Sequence, residues 1–337
     1  MDRTSTILLP AERQRPGLTW ARGAENLPVM RFLPRPFRSL LFLALIASPA
    51  VGAAPAAEKR VLLIAGTMSH GPGAHEHNAG VLLLQKCLAG VPGLRTEVSL
   101  NGWPKDPAAL AAIDAVILYC DGGVKHLAMA DNRLGVLSAL ARRGVGIGCI
   151  HYAVEPTKEK GQDEFLEWIG GAFETDWSVN PHWDAHFKSL PVHPVTRGVQ
   201  PFTIRDEWYF NMRFKPGMTG VTPLLVAIPD ASTVSRPDGR HSGNPAVRAL
   251  VARGEATVVA WAHERSDGGR GFGFTGAHYH ANWGHDDFRR LVLNAILWLA
   301  KLEVPAGGVV SRVTPEDLAA NLDPKPPAKA KATKKAP

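Results

Sequence analysis

From Lys59 onward, short apolar runs alternate with longer stretches whose apolar positions recur at helical spacing. RVLLIAG (60–66) predicts a strand. In EHNAGVLLLQKCLAG (76–90), Val81, Leu84 and Leu88 share a helical face, and Gly90 supplies the stop. LRTEVSLN (94–101) predicts a second strand, DPAALAAI (106–113) a short helix and DAVILYC (114–120) a third strand. MADNRLGVLSALARRG (129–144) then predicts a helix and GVGIGCI (144–150) a fourth strand. Strands this continuously apolar are expected where helices cover both faces of a parallel sheet. Right-handed βαβ units in this order give a doubly wound α/β domain with a mostly parallel sheet.

After His151 the pattern changes. A helix around DEFLEWIGG (163–171) is followed by the closely spaced β-like runs AHFKSL, FTIRDEWYF, VTPLLVAI, ATVVAWAHE and GFGFTGAHY. These predict antiparallel additions to the sheet or β-rich insertions. The last element, DDFRRLVLNAILWLAKL (286–302), places Phe288, Leu291, Val292, Ala295, Leu299 and Leu302 on one face, as a helix packing on the sheet requires. Nothing within 59–303 reads as a linker or a repeat.

The ends of the chain are different in kind. MRFLPRPFRSLLFLALIASPAVGAAPA (30–56) carries Arg31, Arg35 and Arg38, then an apolar run from Leu40 to Ala47, then small residues. This is the order of an export signal starting at Met30, with cleavage near Ala53 or Ala56 and a periplasmic or extracellular destination. The run is short for a bilayer span, so no stable membrane anchor is expected. PKPPAKAKATKKAP (324–337) is a Lys/Ala/Pro tail expected to stay disordered. The expected organisation is therefore an N-terminal extension with signal (1–57), an α/β domain (58–303) and a C-terminal extension (304–337).

Charge then loses its first meaning. The chain carries +7, but seven Arg against three acids in 1–57 and five Lys in 324–337 leave −2 on residues 58–323. A basic footprint on the folded part is absent, which excludes nucleic acid as a partner. Cys87, Cys120 and Cys149 are odd in number and sit in apolar elements, so buried thiols are expected rather than a disulfide framework.

Nine of the thirteen histidines fall in four short segments: His70, His75 and His77 after the first strand, His151 directly after the fourth, His182 with His186, and His278, His280 and His285 in TGAHYHANWGHDD. Imidazole carries protons and binds metals near neutral pH, so one convergent site is expected. His151 follows a buried strand, where a sharp turn presents a side chain at the carboxyl edge of an open sheet. The pairs HEH and HYH direct both rings to one side if the backbone is extended, a geometry suited to a divalent metal such as zinc held by His278, His280 and His70. Hydrogen-bonded loop histidines are the alternative. Glu207 is a candidate base if it points into the crevice and a surface ion-pair partner if it does not. Trp177, Trp183, Trp208 and Trp283 lie beside the polar clusters, so a carbohydrate pocket is expected, with His70, His75, His182, Trp183, Asp206, Trp208, His280 and Trp283 as substrate contacts. Core packing is the competing explanation for each Trp. SHGPGAH and SDGGRGFGF lack phosphate-loop or dinucleotide spacing and read as turns.

RVLLIAG with the following SHG, GVGIGCIHYAV, HPVTRGV, FTIRDEWYF and GFGFTGAHYHANWGHDDFRRLVLNAILWLA, in that order over about 59–303, resemble the trehalose-utilisation ThuA-like domain. The resemblance implies a flavodoxin-like sheet of the class I glutamine amidotransferase-like kind, with His151 at the elbow where amidotransferases carry a catalytic Cys. Glutamine hydrolysis is therefore not expected. It also implies a role in the use of disaccharides, especially sugars oxidised to 3-keto derivatives. A keto group acidifies its neighbouring C–H, and its chemistry needs a base and a group to hold the enolate. His151 or Glu207 is expected to move the proton, with His278, His280 and His70 binding the enolate oxygen or a cation. A non-catalytic carbohydrate-binding domain and a metal-dependent hydrolase are the alternatives.

Overall fold

The computed structural model describes residues 57–326. The export signal assigned to 30–56 lies outside the described residues, as does all of the tail beyond Pro326. No helix among the described residues is long and apolar enough to cross a membrane.

Eleven strands run along the described residues: β1 (Lys59–Ala65), β2 (Leu94–Ser99), β3 (Ala115–Tyr119), β4 (Gly146–Ile150), β5 (Gly171–Ala172), β6 (His182–Phe187), β7 (Phe202–Glu207), β8 (Arg213–Phe214), β9 (Val221–Ala227), β10 (Thr257–Glu264) and β11 (Arg270–Phe274). Six α-helices accompany them: α1 (His77–Leu88), α2 (Arg133–Arg142), α3 (Gln162–Ile169), α4 (Pro245–Ala252), α5 (Asp286–Leu299) and α6 (Pro315–Ala319). Seven strands form the central sheet in the order β2-β1-β3-β4-β11-β10-β9. The first five are parallel, and β10 runs antiparallel to both its neighbours. With β11 as fifth strand this is the flavodoxin-like order, whose ligand crevice lies at the carboxyl ends of the strands.

Period-two alternation sorts the core into two layers. Val61, Leu63 and Ala65 of β1 pack with α1 and α5, whereas Leu62 and Ile64 pack on the other face with α2 and α3. β3 and β4 are buried throughout, the reason their sequences show no alternation. The β-rich region divides: β9 to β11 extend the central sheet, while β6 pairs with β7 and β5 with β8 as separate antiparallel ribbons.

Three local expectations change. DPAALAAI makes only one 3₁₀ turn, Pro107–Leu110, capped by Asp106. A helix not foreseen, α4, starts from Asn244, whose side chain accepts the Val247 N–H, with Pro245 in its first turn. The apolar face of α5 is wider than predicted, because even Arg289 and Asn294 are buried. The loop before β7 and the C-terminal segment cover its outer side. Asn294 donates to the Val195 and Arg197 carbonyls and accepts from the Val309 N–H, and Arg289 donates to Ser311 and to the Trp283 carbonyl.

Within the described residues, the C-terminal segment reaches a buried contact. Lys325, read in the sequence as part of a disordered tail, places its Nζ 3.0 Å from Glu76, with both side chains 1% exposed, and also donates to the Ala74 and His75 carbonyls. Glu76 accepts the Gly73 and Asp323 backbone N–H groups as well. Lys325→Met would leave that carboxylate buried without its cation, though still with two N–H donors, and is expected to cost about 2 kcal/mol. Chemical denaturation checks this; a wild-type midpoint would make the contact energetically idle.

Candidate functional site

Four loops leave the carboxyl ends of β1, β3, β4 and β11 and meet over the sheet edge. The first can pass close to β3 only because residue 66 is glycine: a Cβ there would lie 2.7 Å from that of Cys120. It then carries His70 and His75, both in the left-handed backbone region (φ 57° and 49°), and His77 at the start of α1. Asp121 follows β3. His151 follows β4 at φ 57° and opens a 3₁₀ turn that runs to Val154. Ala277, at φ 82°, precedes His278 in the fourth loop. Each such residue costs local strain that the surroundings must hold, a feature concentrated at functional sites.

The holding contacts are identifiable. Asp206, fully buried at the end of β7, accepts N–H groups from Glu207 (2.8 Å), Ala277 (2.7 Å) and His278 (3.0 Å) and from the Asn282 amide (2.9 Å). The Tyr119 hydroxyl donates to the Ala277 carbonyl. The loop presenting His278 is thus tied to β7, which also supplies Glu207.

Four side chains form a buried floor. His75 Nε2 lies 3.0 Å from His151 Nε2 and 3.1 Å from His278 Nδ1; Glu207 Oε2 lies 3.0 Å from His278 Nδ1 and 3.5 Å from His151 Nε2. Outer partners orient them. His75 Nδ1 donates to Asp121 at 2.9 Å, His151 Nδ1 donates to the Thr275 carbonyl at 2.8 Å, and the Tyr209 hydroxyl lies 3.3 Å from both Glu207 Oε2 and His151 Nε2. Two half-exposed imidazoles form a rim. His70 stacks on His75 and faces Asp121 at 3.6 Å; His182 Nε2 faces Glu207 at 3.6 Å and its Nδ1 meets the Tyr279 hydroxyl.

Burial dominates the electrostatics. It pushes the His75 imidazole down to about 2, against the opposing hydrogen bond to Asp121, and lowers His70 and His182 as well. Burial would raise Asp121 and Glu207. Hydrogen bonds from His75 and Ser69 to the first, and the imidazoles of His151 and His278 beside the second, outweigh it and hold both carboxyls below the usual range. Burial also raises all three cysteine thiols, Cys120 to about 12, so they are inert; Cys149 is sealed within β4.

His70, His75, His151, His182, Glu207 and His278 therefore come together, while other residues singled out in the sequence do not. His280 begins a 3₁₀ turn, so the extended backbone required for a same-side HYH pair ends before it. Its ring is buried away from the floor, with neither nitrogen partnered among the described residues. It therefore replaces neither His75 nor His151 in a metal set. Trp183, Trp208 and Trp283 are core residues with no open face for a sugar, at 2%, 0% and 0% exposure. The indoles of Trp183 and Trp208 donate to backbone carbonyls. Trp177 is covered by the Arg213 guanidinium, 3.8 Å from its ring centre. Asp206 is occupied by its four donors rather than facing the crevice. His186 and His285 lie outside the cluster, the first against Thr203 and the second capping α5. Asp121, Tyr209 and Tyr279 were not anticipated, although Asp121 follows a buried strand just as His151 does.

Comparison with known proteins agrees with this architecture. The family model described as "ThuA: Trehalose utilisation" matches residues 60–299. The crystal structure of a ThuA-like protein from Bacteroides uniformis ATCC 8492 superposes with a TM-score of 0.52 at 15% identity, covering 75% of this chain and 95% of that one. At that identity the likeness is one of fold. PurLQS from Thermotoga maritima shows only a remote likeness, at TM-score 0.33 and 13% identity over 71% of this chain and 98% of that one. A search of curated proteins finds none that matches.

Proposed function

The chain belongs to the ThuA trehalose-utilisation family, and from that premise we propose that it is an enzyme of carbohydrate utilisation that moves a proton beside the keto group of an oxidised sugar, such as a 3-keto-glycoside. The observation that carries this reading is the pair of half-exposed imidazoles, His70 and His182, each facing a buried carboxylate and each with its ring centre within 6.1 Å of His278. Solvent reaches both rings, so both can exchange protons with it and with a bound sugar. The floor beneath is buried, and a proton or cation held between its imidazoles and Glu207 would stabilise charge on the carbonyl oxygen as the enolate forms. His151 belongs to that floor: it is fully buried and its Nδ1 is held by Thr275, which leaves it no direct proton route to water.

A groove of about 450 Å³ lined by Gly73, Ala74, Tyr279, Ala281 and Leu318 shares Tyr279 with the rim and offers room for the rest of a glycoside. Recognition by stacking is disfavoured because the candidate indoles are in the core, and that weighs against a purely carbohydrate-binding module. Export of the protein belongs to the same proposal and rests on the segment 30–56 alone.

Incubated with 3-keto-trehalose or methyl 3-keto-glucoside in D2O, the protein is expected to exchange the hydrogen next to the ketone, followed by NMR. His70→Asn, which tolerates the φ of 57° at that position, and His182→Ala should each slow exchange by about a hundredfold. Sugar affinity with no exchange and no product from the wild type would overturn the proposal in favour of a binding module.

A further inference from the structure

We propose that His75 Nε2, His151 Nε2, His278 Nδ1 and Glu207 Oε2 bind one divalent transition-metal cation of the zinc class. These four atoms lie within 4.8 Å of one another. Bonds of about 2.0–2.1 Å to a central cation put neighbouring ligand atoms about 2.9–3.4 Å apart, depending on coordination number. The four closest pairs here span 3.0 to 3.5 Å.

Hydrogen-bond logic points the same way. A carboxylate and a backbone carbonyl accept only, so His75 Nδ1 and His151 Nδ1 must both carry their hydrogens toward Asp121 and Thr275. In the neutral tautomers this leaves two Nε2 lone pairs facing each other at 3.0 Å with no hydrogen between them. A cation at that point turns an acceptor–acceptor clash into two bonds and takes His278 Nδ1 and the Glu207 carboxylate as its third and fourth ligands. The outer partners are those a metal site requires: carboxylate to imidazole, carbonyl to imidazole, and phenol to carboxylate. Three imidazoles and one carboxylate, with no thiolate, suit zinc, cobalt or nickel rather than magnesium, calcium or copper(I).

The ligand set differs from the His278, His280 and His70 expected from local spacing, since His75 and His151 replace the other two. Ion binding stands on this geometry, and only its catalytic use, polarising a sugar carbonyl between the two rim imidazoles, rests on the proton-transfer reading.

The test uses the full chain, stripped with chelator, loaded with Zn²⁺ or Co²⁺ and dialysed. About one equivalent of metal per chain is expected to remain, with visible ligand-field bands for cobalt. His75→Gln and His278→Gln should each reduce retention at least about tenfold, and Asp121→Asn, which keeps every ligand but loosens the orientation of His75, should weaken Zn²⁺ affinity by about tenfold. His186→Gln should change nothing, and near-ultraviolet circular dichroism separates ligand loss from misfolding. Wild-type protein that retains no stoichiometric metal, or folded His75→Gln and His278→Gln variants that retain as much as wild type, would overturn the site. Full metal binding without keto-sugar exchange would sink the proton-transfer reading and leave the site standing; exchange by protein that rejects both ions would do the reverse.

Discussion

Asp206→Ala is expected to lower the unfolding free energy by about 3–5 kcal/mol, because it strands several buried N–H donors at about 1–3 kcal/mol each. The carboxylate is 0% exposed and accepts the N–H groups of Glu207, Ala277 and His278, besides binding the Asn282 amide. Deleting it leaves these donors buried without their acceptor. It also releases Ala277, whose φ of 82° is unfavourable by roughly 1–2 kcal/mol for a residue with a Cβ and is held in place by these bonds. The loss should therefore be both global and local: a lower denaturation midpoint, and early hydrogen exchange in 275–282. Asp206→Asn should fall between, since it keeps one acceptor oxygen but turns an NH2 group toward other donors. An Asp206→Ala protein with a wild-type midpoint would mean that the loop after β11 is held by packing alone.

The parts of this architecture that could be read in the chain were those written in local pattern. The unbroken apolar runs of β1, β3 and β4 announced a covered parallel sheet, and the place of His151 after β4 marked its carboxyl edge. Asp121 after β3 obeyed the same rule, but an acid followed by two glycines also reads as an ordinary turn. In β6 the burial alternates, with His182 outward and Trp183 inward. Proximity in sequence thus joined a rim residue to a core residue, and counting aromatics near histidines could not separate them. The HYH pair failed because the same-side rule needs extended backbone, and a 3₁₀ turn begins at His280. Asn244-Pro245 was a readable helix start lost in a polar stretch. The Glu76–Lys325 contact joins residues 249 apart in the chain, and no local pattern encodes it. Neighbouring strand residues point to opposite faces, yet Asp206 and Glu207 are both buried, because the chain at the end of β7 is covered by the loop after β11.

His151→Asn is expected to abolish keto-sugar exchange, by about a thousandfold or more, while leaving the chain folded. The choice of asparagine follows from the backbone. At φ 57° an alanine adds left-handed strain to the loss of the ring, whereas asparagine tolerates that region, so its effect reports on the imidazole rather than on the turn. The shorter side chain gives up the contact with the Tyr209 ring, a packing loss of about 1–2 kcal/mol that a domain of this size withstands. What it cannot supply is an Nε2 within 3.0 Å of His75 and 3.5 Å of Glu207, the atom on which the floor closes. A floor missing that atom has no fixed point at which to hold a developing oxyanion, whether protons or a metal ion fill it, and preorganised stabilisation of that kind accounts for several kcal/mol of barrier. The deuterium wash-in assay, run beside a denaturation curve, separates the two effects. A folded His151→Asn protein that exchanges at the wild-type rate would place the chemistry away from this sheet edge, and the rim imidazoles would then lose their claim to it as well.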